Sequence, residues 1–294
     1  MASESTAQAR RGLLTWKDIL PWQRDNEFIL TGYRTASFSY SKSLRSIFQV
    51  HNETANIWSH LMGAAWFLLM FLQSFHIRQL AHGSQLQDAM ALGLYYLCVV
   101  VCFILSTIFH TFSDHSQGMH KFGNELDHLG VVLVMWGTGM SGVHFAFYCH
   151  GLLRNTYFAM LTGTALACAV FTLRPKFRQP AYRTTRFLMY VFLGTSLFAP
   201  VLHAWLLYGD GLNEMMGLKS FLGLAAINFS GAAVYAARIP ERWFPGRFDL
   251  LGQSHNLMHV LVLTGALVRL DGLVGVTKLW QDPAVKFEFC VGAS

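Results

Sequence analysis

The chain is 294 residues long, 53% hydrophobic and only 13% charged. Soluble chains carry roughly 25% charge, so an ordinary soluble domain is excluded and a multi-span membrane protein is indicated. A net charge of +6 would suit nucleic acid, but Lys and Arg crowd into loops on alternate sides of the apolar segments, which argues against that partner.

Residues 1–55 are polar and mixed and form the expected cytoplasmic N-terminal segment. Within it, Ser41–Val50 mixes basic and apolar residues. That pattern fits an interfacial helix lying against the membrane, or an amphipathic helix packed on the bundle. The first 50 or so residues hold no signal-peptide pattern, so insertion is expected to use the first true span. Seven apolar segments follow, at about Ile57–Phe75, Ala89–Phe109, Leu129–Cys149, Tyr157–Leu173, Phe187–Tyr208, Met216–Ala236 and Asn256–Val276. Most approach the ~20 residues that cross a hydrocarbon core. The fourth is short, and Arg269 and Asp271 interrupt the seventh, where they are expected to snorkel at its far end. The expected fold is an all-α membrane protein, a seven-transmembrane helix bundle over residues 56–276, with a short C-terminal tail at 277–294. The five cysteines have no CxxC spacing and read as buried thiols.

Counting Lys and Arg orients the spans. The N-terminal segment carries seven and the second, fourth and sixth loops carry one, five and three, so 16 of the 22 lie on one side. Cytoplasmic loops are the ones enriched in Lys and Arg. The N-terminus is therefore expected in the cytoplasm and the C-terminus outside, opposite to a G-protein-coupled receptor. The sequon Asn52-Glu53-Thr54 then faces the cytoplasm and is no glycosylation site.

In that orientation three segment ends meet at one depth. The second span ends in Ser106-Thr-Ile-Phe-His110, the third is preceded by Asp127-His128, and the seventh begins with His255-Asn-Leu-Met-His259. His255 and His259 are four apart and share a helical face. Three imidazoles, His110, His255 and His259, with one position left open, make a catalytic zinc arrangement. Asp127 is the candidate general base. Ser106 lies one turn deeper than His110 and could hydrogen-bond a substrate carbonyl or its oxyanion. Each residue alone has a plainer reading: an interfacial histidine, a helix-capping carboxylate, a polar seam, a small packing residue. Their joint placement favours the site. Asn56 and His60 share a face at the same end of the first span, where they could brace the ligands or form a structural pair. Cys98 and Cys102 continue the four-residue spacing but lie too far from His110 to share an ion.

The segments His51-Asn-Glu-Thr-Ala-Asn-Ile-Trp-Ser-His-Leu-Met-Gly63, Ser106-Thr-Ile-Phe-His-Thr-Phe-Ser-Asp-His-Ser116, Leu126-Asp-His-Leu-Gly130 and Ser254-His-Asn-Leu-Met-His-Val-Leu-Val262 resemble motifs of the progestin and adipoQ receptor family. That family includes adiponectin receptors, fungal Izh-type proteins and haemolysin III relatives, and an Izh-type member is the expected branch. Pro240-Glu241-Arg242 and Gly246-Arg247-Phe248-Asp249 are also similar to it. The resemblance implies seven spans with the N-terminus inside. It implies Zn2+ held by His110, His255 and His259, with Asp127 reaching it through water. It further implies a membrane lipid as substrate or ligand, of ceramide, sphingolipid or sterol-like class, because adiponectin receptors are associated with ceramide amide hydrolysis and fungal members with zinc and sterol homeostasis.

Three functions follow as expectations. The leading one is a zinc-dependent lipid amidase in the plasma membrane or an endomembrane. The second is a sensor or receptor in which zinc is structural. A zinc transporter ranks last, since it needs a ligand path open to both sides and these ligands cluster on one.

Overall fold

The computed structural model describes residues 12–78, 85–174 and 183–291. Eleven α-helices carry the fold among these residues: α1 Tyr40–Arg45, α2 Thr54–Arg78, α3 Gln85–Phe112, α4 Gln117–Ala146, α5 Gly151–Leu173, α6 Arg183–Ser196, α7 Phe198–Tyr208, α8 Leu212–Met216, α9 Leu218–Ala237, α10 Ser254–Leu279 and α11 Pro283–Val291. The only β pairing among them is an isolated bridge between Leu14 and Tyr33. Lipid offers backbone groups no hydrogen-bond partners, so spans must close their own bonds as helices. Seven stretches are long and apolar enough to cross: Thr54–Ser74, Leu86–Phe112, Gln117–Ala146, Gly151–Leu173, Leu188–Met216, Leu218–Ala237 and Ser254–Leu279. Large apolar side chains such as Met62, Trp66, Leu69, Leu166, Val170, Leu206 and Phe229 stay exposed on them, as a lipid-facing surface requires. The protein is a multi-pass integral membrane protein.

All seven expected segments appear, with instructive differences at their ends. The third continues twelve residues on its polar side to Gln117, so Glu125, Asp127 and His128 stand on a helix about 45 Å long. The fourth is not short, because the polar turn Gly151–Thr156 is helical too. The fifth is broken at Leu197, and α7 restarts with Pro200 in its first turn. Proline has no N–H to give the carbonyl four residues back and clashes with it. The seventh is one unbroken helix. Arg269 does not snorkel but is wholly buried, while Asp271 is exposed on another face. Between Arg34 and the first span, the expected Ser41–Val50 helix resolves into α1 and a 3-10 turn, Ser46–Phe48.

The chain divides into two compact units. One comprises the described residues within Met1–Ala64, Phe103–Asp127 and Ala225–Gly265; the other comprises those within Ala65–Cys102, His128–Leu224 and Ala266–Ser294. The first unit is tied together by polar side chains. Arg34, buried, donates to Thr111 O at 2.8 Å, His110 O at 2.6 Å, Ser46 Oγ at 2.8 Å and Ser113 Oγ at 3.0 Å, and pairs with Asp114 at 3.3 Å. The N-terminal segment is thus fastened to the end of α3.

In the second unit, glycines let helices approach closely. A side-chain carbon on Gly130 would lie 3.0 Å from Cys102 Cα, and one on Gly137 would lie 2.7 Å from Cys98 Cβ. The two glycines are seven apart on one face of α4, a small-residue seam against α3. Cys98, Cys102 and Cys168 are buried thiols that form no disulfide among the described residues, as expected. Cys149 and Cys290 are not: they form a disulfide across 141 residues. Sequence spacing cannot reveal a pairing between residues so far apart. Histidines without an evident partner in the sequence acquire one here. His144 Nε2 lies 2.9 Å from Asp88 Oδ1, and His203 Nδ1 lies 2.8 Å from the Tyr157 hydroxyl. Lys286 of α11 stands over the Tyr148 ring at 5.1 Å.

A long loop closed by a disulfide constrains the unfolded chain, by typically ~2–4 kcal/mol. Cys149→Ser should therefore lower the melting temperature of the detergent-purified protein by several degrees and abolish the mobility difference between reduced and unreduced samples on a denaturing gel. An unreduced wild-type protein with five titratable thiols would refute the pairing.

Candidate metal centre

The centre lies within the first unit. α3 delivers His110 two residues before its end, and α10 delivers His255 and His259 from its first turns. Ring nitrogens of the three, one from each, lie within 4.8 Å of one another. The ring centroids are 4.8–5.0 Å apart and the planes cross at 72–77°. Edges therefore converge instead of faces, as ligation of a single ion requires.

The N-terminus of α10 is fixed by a buried carboxylate. Glu241 accepts from Ser254 N at 2.8 Å, from Ser254 Oγ, and from Asn26 Nδ2 at 2.9 Å. An anion there complements the helix dipole and satisfies an orphan N–H. Gln253 Nε2 donates to Asn52 O at 2.8 Å, and Asn256 Nδ2 donates to Asn56 Oδ1 at 2.7 Å. These bonds set the rotation of α10 against the start of α2, and with it the direction of His255 and His259.

Glu53 is the residue that sequence reasoning missed. Its Oε2 lies 2.7 Å from His110 Nδ1 and accepts from Asn56 Nδ2 at 2.7 Å. In the sequence it stands inside a sequon and a motif segment, with no partner evident. The available signal was its spacing: Glu53, Asn56 and His60 stand at i, i+3 and i+7, one helical stripe. Glu53 is itself held by His51, whose Nδ1 accepts from Glu53 N at 3.1 Å while Nε2–H donates to Ser46 O at 3.1 Å. Burial, together with the Arg34 charge, pushes the His51 imidazole down to about 3, against the opposing pull of Glu53. It is a neutral donor–acceptor bridge.

These bonds assign tautomers. With Nδ1–H of His110 given to Glu53, the buried Nε2 carries a lone pair and has no hydrogen-bond partner among the described residues. Ser59 Oγ donates to Asn56 O at 3.0 Å and lies 3.3 Å from His259 Nδ1. Its proton is committed, so its oxygen accepts from His259 Nδ1–H and leaves that ring's Nε2 free as well. Metal-ligating histidines characteristically give their other N–H to a carboxylate or oxygen in this way. The orphaned lone pair on His110 and the imidazole donor set fit a divalent transition metal.

Of the five residues expected from the sequence, the structure brings together His110, His255 and His259. Asp127 is half-buried on α4 and acts electrostatically on His255 and Tyr235, though it does not belong to the triad. Ser106 is buried and its hydroxyl has no hydrogen-bond partner among the described residues. His60 stacks on His259 at 3.7 Å and on Phe103 at 4.6 Å, bracing that ring by its face. Tyr235 packs on His255 at 4.9 Å.

Residues 48–270 match the model of the family described as "Haemolysin-III related". The chain belongs to that family. It is 34% identical over 88% of its length to the "Adiponectin receptor protein" of Drosophila melanogaster, and 33% identical over 91% to "Progestin and adipoQ receptor-like protein 1" of Caenorhabditis elegans. It spans only 58% and 62% of those two relatives. The "ADIPOR-like receptor IZH2" of Saccharomyces cerevisiae is 33% identical over 92% of this chain and 85% of its own length. All four motif segments fall within or overlap the matched region, so the resemblance read from them holds at the level of the family.

Replacing Glu53 by Gln keeps the shape and removes the carboxylate that accepts from His110 Nδ1. Loss of such a partner typically weakens metal binding about 10–100-fold. A competition titration with a chelator should show that weakening in Glu53→Gln with α-helical content unchanged. Unaltered affinity would detach Glu53 from the centre.

Proposed function

We propose that this protein is a zinc-dependent lipid amide hydrolase with its site at the cytoplasmic side, acting on ceramide-type lipids. The observation that carries the reading is the buried His110 Nε2, denied any partner while Nδ1 is engaged by Glu53. His110, His255 and His259 would hold the ion. Zinc held by three imidazoles supplies Lewis acidity and lowers the pKa of water to about 7.

The remaining work falls to this chain. Amide hydrolysis forms a carbon–oxygen bond from water and breaks the carbon–nitrogen bond. Asp127 takes the proton from water and returns it to the departing amine. Ser106, one turn deeper and with an uncommitted hydroxyl, donates to the carbonyl oxygen as charge builds there. Glu53 and Ser59 hold His110 and His259 in the ligating tautomer. A second reading, a sensor in which structural zinc ties α3, α4 and α10 together, is favoured by the receptor names its relatives carry and uses the same residues.

The orientation belongs to this proposal, with the N-terminus in the cytoplasm and the C-terminus outside. The unequal Lys and Arg distribution supports it. The Cys149–Cys290 disulfide supports it independently, since disulfides persist in oxidising compartments and are rare in the cytosol.

Elemental mass spectrometry of the purified protein should find about one zinc per chain, reduced in His259→Ala. Asp127→Ala should keep the zinc and lose at least ~100-fold in ceramide hydrolysis. Zinc-loaded protein with no turnover would leave the sensor reading, and metal-free folded protein would remove both. Orientation is checked separately: a membrane-impermeant reductant applied to the non-cytosolic face of sealed membranes should open the disulfide, and resistance there with opening from the cytosolic face would reverse the topology.

A further inference from the structure

Arg269 is a second feature that demands a partner, and it lies in the unit that does not hold the histidine cluster. Its side chain is wholly buried in the C-terminal half of α10. Nη1 is fully used, donating to Met216 O at 2.9 Å, Gly217 O at 3.2 Å and Ser220 Oγ at 3.0 Å. Met216 O belongs to the end of α8, where Gly217 turns left-handed with φ +69°, and Gly217 O also accepts from Phe221 N at 3.0 Å. Nearby, Trp280 Nε1 satisfies Met215 O at 2.9 Å. One edge of the guanidinium therefore has a structural task, capping a helix C-terminus.

The other edge has none. Nε and Nη2, carrying three N–H groups, have no hydrogen-bond partner among the described residues. No carboxylate among the described residues forms an ion pair with Arg269. Asp271, two residues on, faces out. The Tyr95 hydroxyl supplies no counter-charge and is given to Ala266 O at 2.9 Å. Phe221 offers only a ring face, 5.8 Å from the guanidinium carbon. A buried cation left without a counter-charge is unfavourable at membrane depth.

Space accompanies the unpaired charge. A cavity lined by Thr138, Gly142, Leu197, Pro200, Met216 and Phe221 has room for one water-sized particle. Three of those residues touch Arg269. Met216 accepts its hydrogen bond, Phe221 lies under its charge, and a side-chain carbon on Gly142 would stand 3.3 Å from Nη2. Gly142 thus borders both the cavity and this edge of the guanidinium.

We propose that Arg269 and the adjoining cavity form a binding site for a small monovalent anion of halide size. Nε–H and Nη2–H would donate to it in the fork geometry by which arginine holds anions. The wall is mostly apolar, and the one hydroxyl named in it, that of Thr138, donates to Val134 O at 2.7 Å. A lipid carboxylate needs further room for its chain, whereas a chloride needs only a small shift of the flexible Met216 side chain.

The test is thermal unfolding of the full-length protein in detergent, with chloride or bromide exchanged for gluconate at constant ionic strength. Halide should raise the melting temperature by a few degrees with saturation, and Arg269→Gln should abolish the difference between salts. If Arg269→Gln does not fold, anomalous scattering from bromide-grown crystals of the wild type decides, with a peak expected within hydrogen-bonding reach of Nη2. Equal melting in halide and gluconate, or a water there that bromide does not replace, would overturn the site.

Discussion

The hydrogen bond between His110 Nδ1 and Glu53, 2.7 Å long, is the interaction on which the first unit depends. It assigns a proton. In a buried setting a ring nitrogen without a partner is costly, so the bond that satisfies one nitrogen of His110 determines what the other can do. The carboxylate is in turn held by Asn56, Asn56 by Asn256, and Asn256 accepts from Gly252 N at 3.0 Å. The start of α2, the end of α3 and the start of α10 are thereby specified by one chain of polar contacts. Such a network constrains geometry because each member has a single compatible arrangement.

The same logic operates in the second unit with another outcome. There Arg269 and Trp280 satisfy the carbonyls left open where α8 ends and α9 begins. Burying Arg269 solves the backbone problem of that break and leaves part of a cation unsatisfied. In both units a helix end, not a helix middle, generates the unusual chemistry, because orphan groups occur at helix ends.

Hydropathy made the seven spans legible, since lipid enforces helical closure and apolar length together. The three histidines were legible because two stand four apart and the third ends a span. Their convergence needed only segment order and depth. Glu53 was obscured because its position before the first apolar residue suggested a solvent loop, and its partner lies 57 positions away. The disulfide was illegible for the same reason, since a Cys149–Cys290 contact depends on how distant segments fold. The break at Leu197 was recoverable from Pro200, whereas the helical extension to Gln117 was not. Gln117–Asp127 is polar, and there helix formation follows from local contacts that hydropathy does not record.

Arg34 illustrates how narrowly such a position is defined. Its guanidinium bridges carbonyls on α3, including that of His110 itself, to Ser46, Ser113 and Asp114. An ammonium group is a compact point charge with three donors and cannot span acceptors arranged around a planar fork. Lysine at 34 would conserve the charge and leave buried oxygens bare. The substitution most often counted as conservative is thus excluded there, and the ligand's own backbone depends on a residue 76 positions earlier.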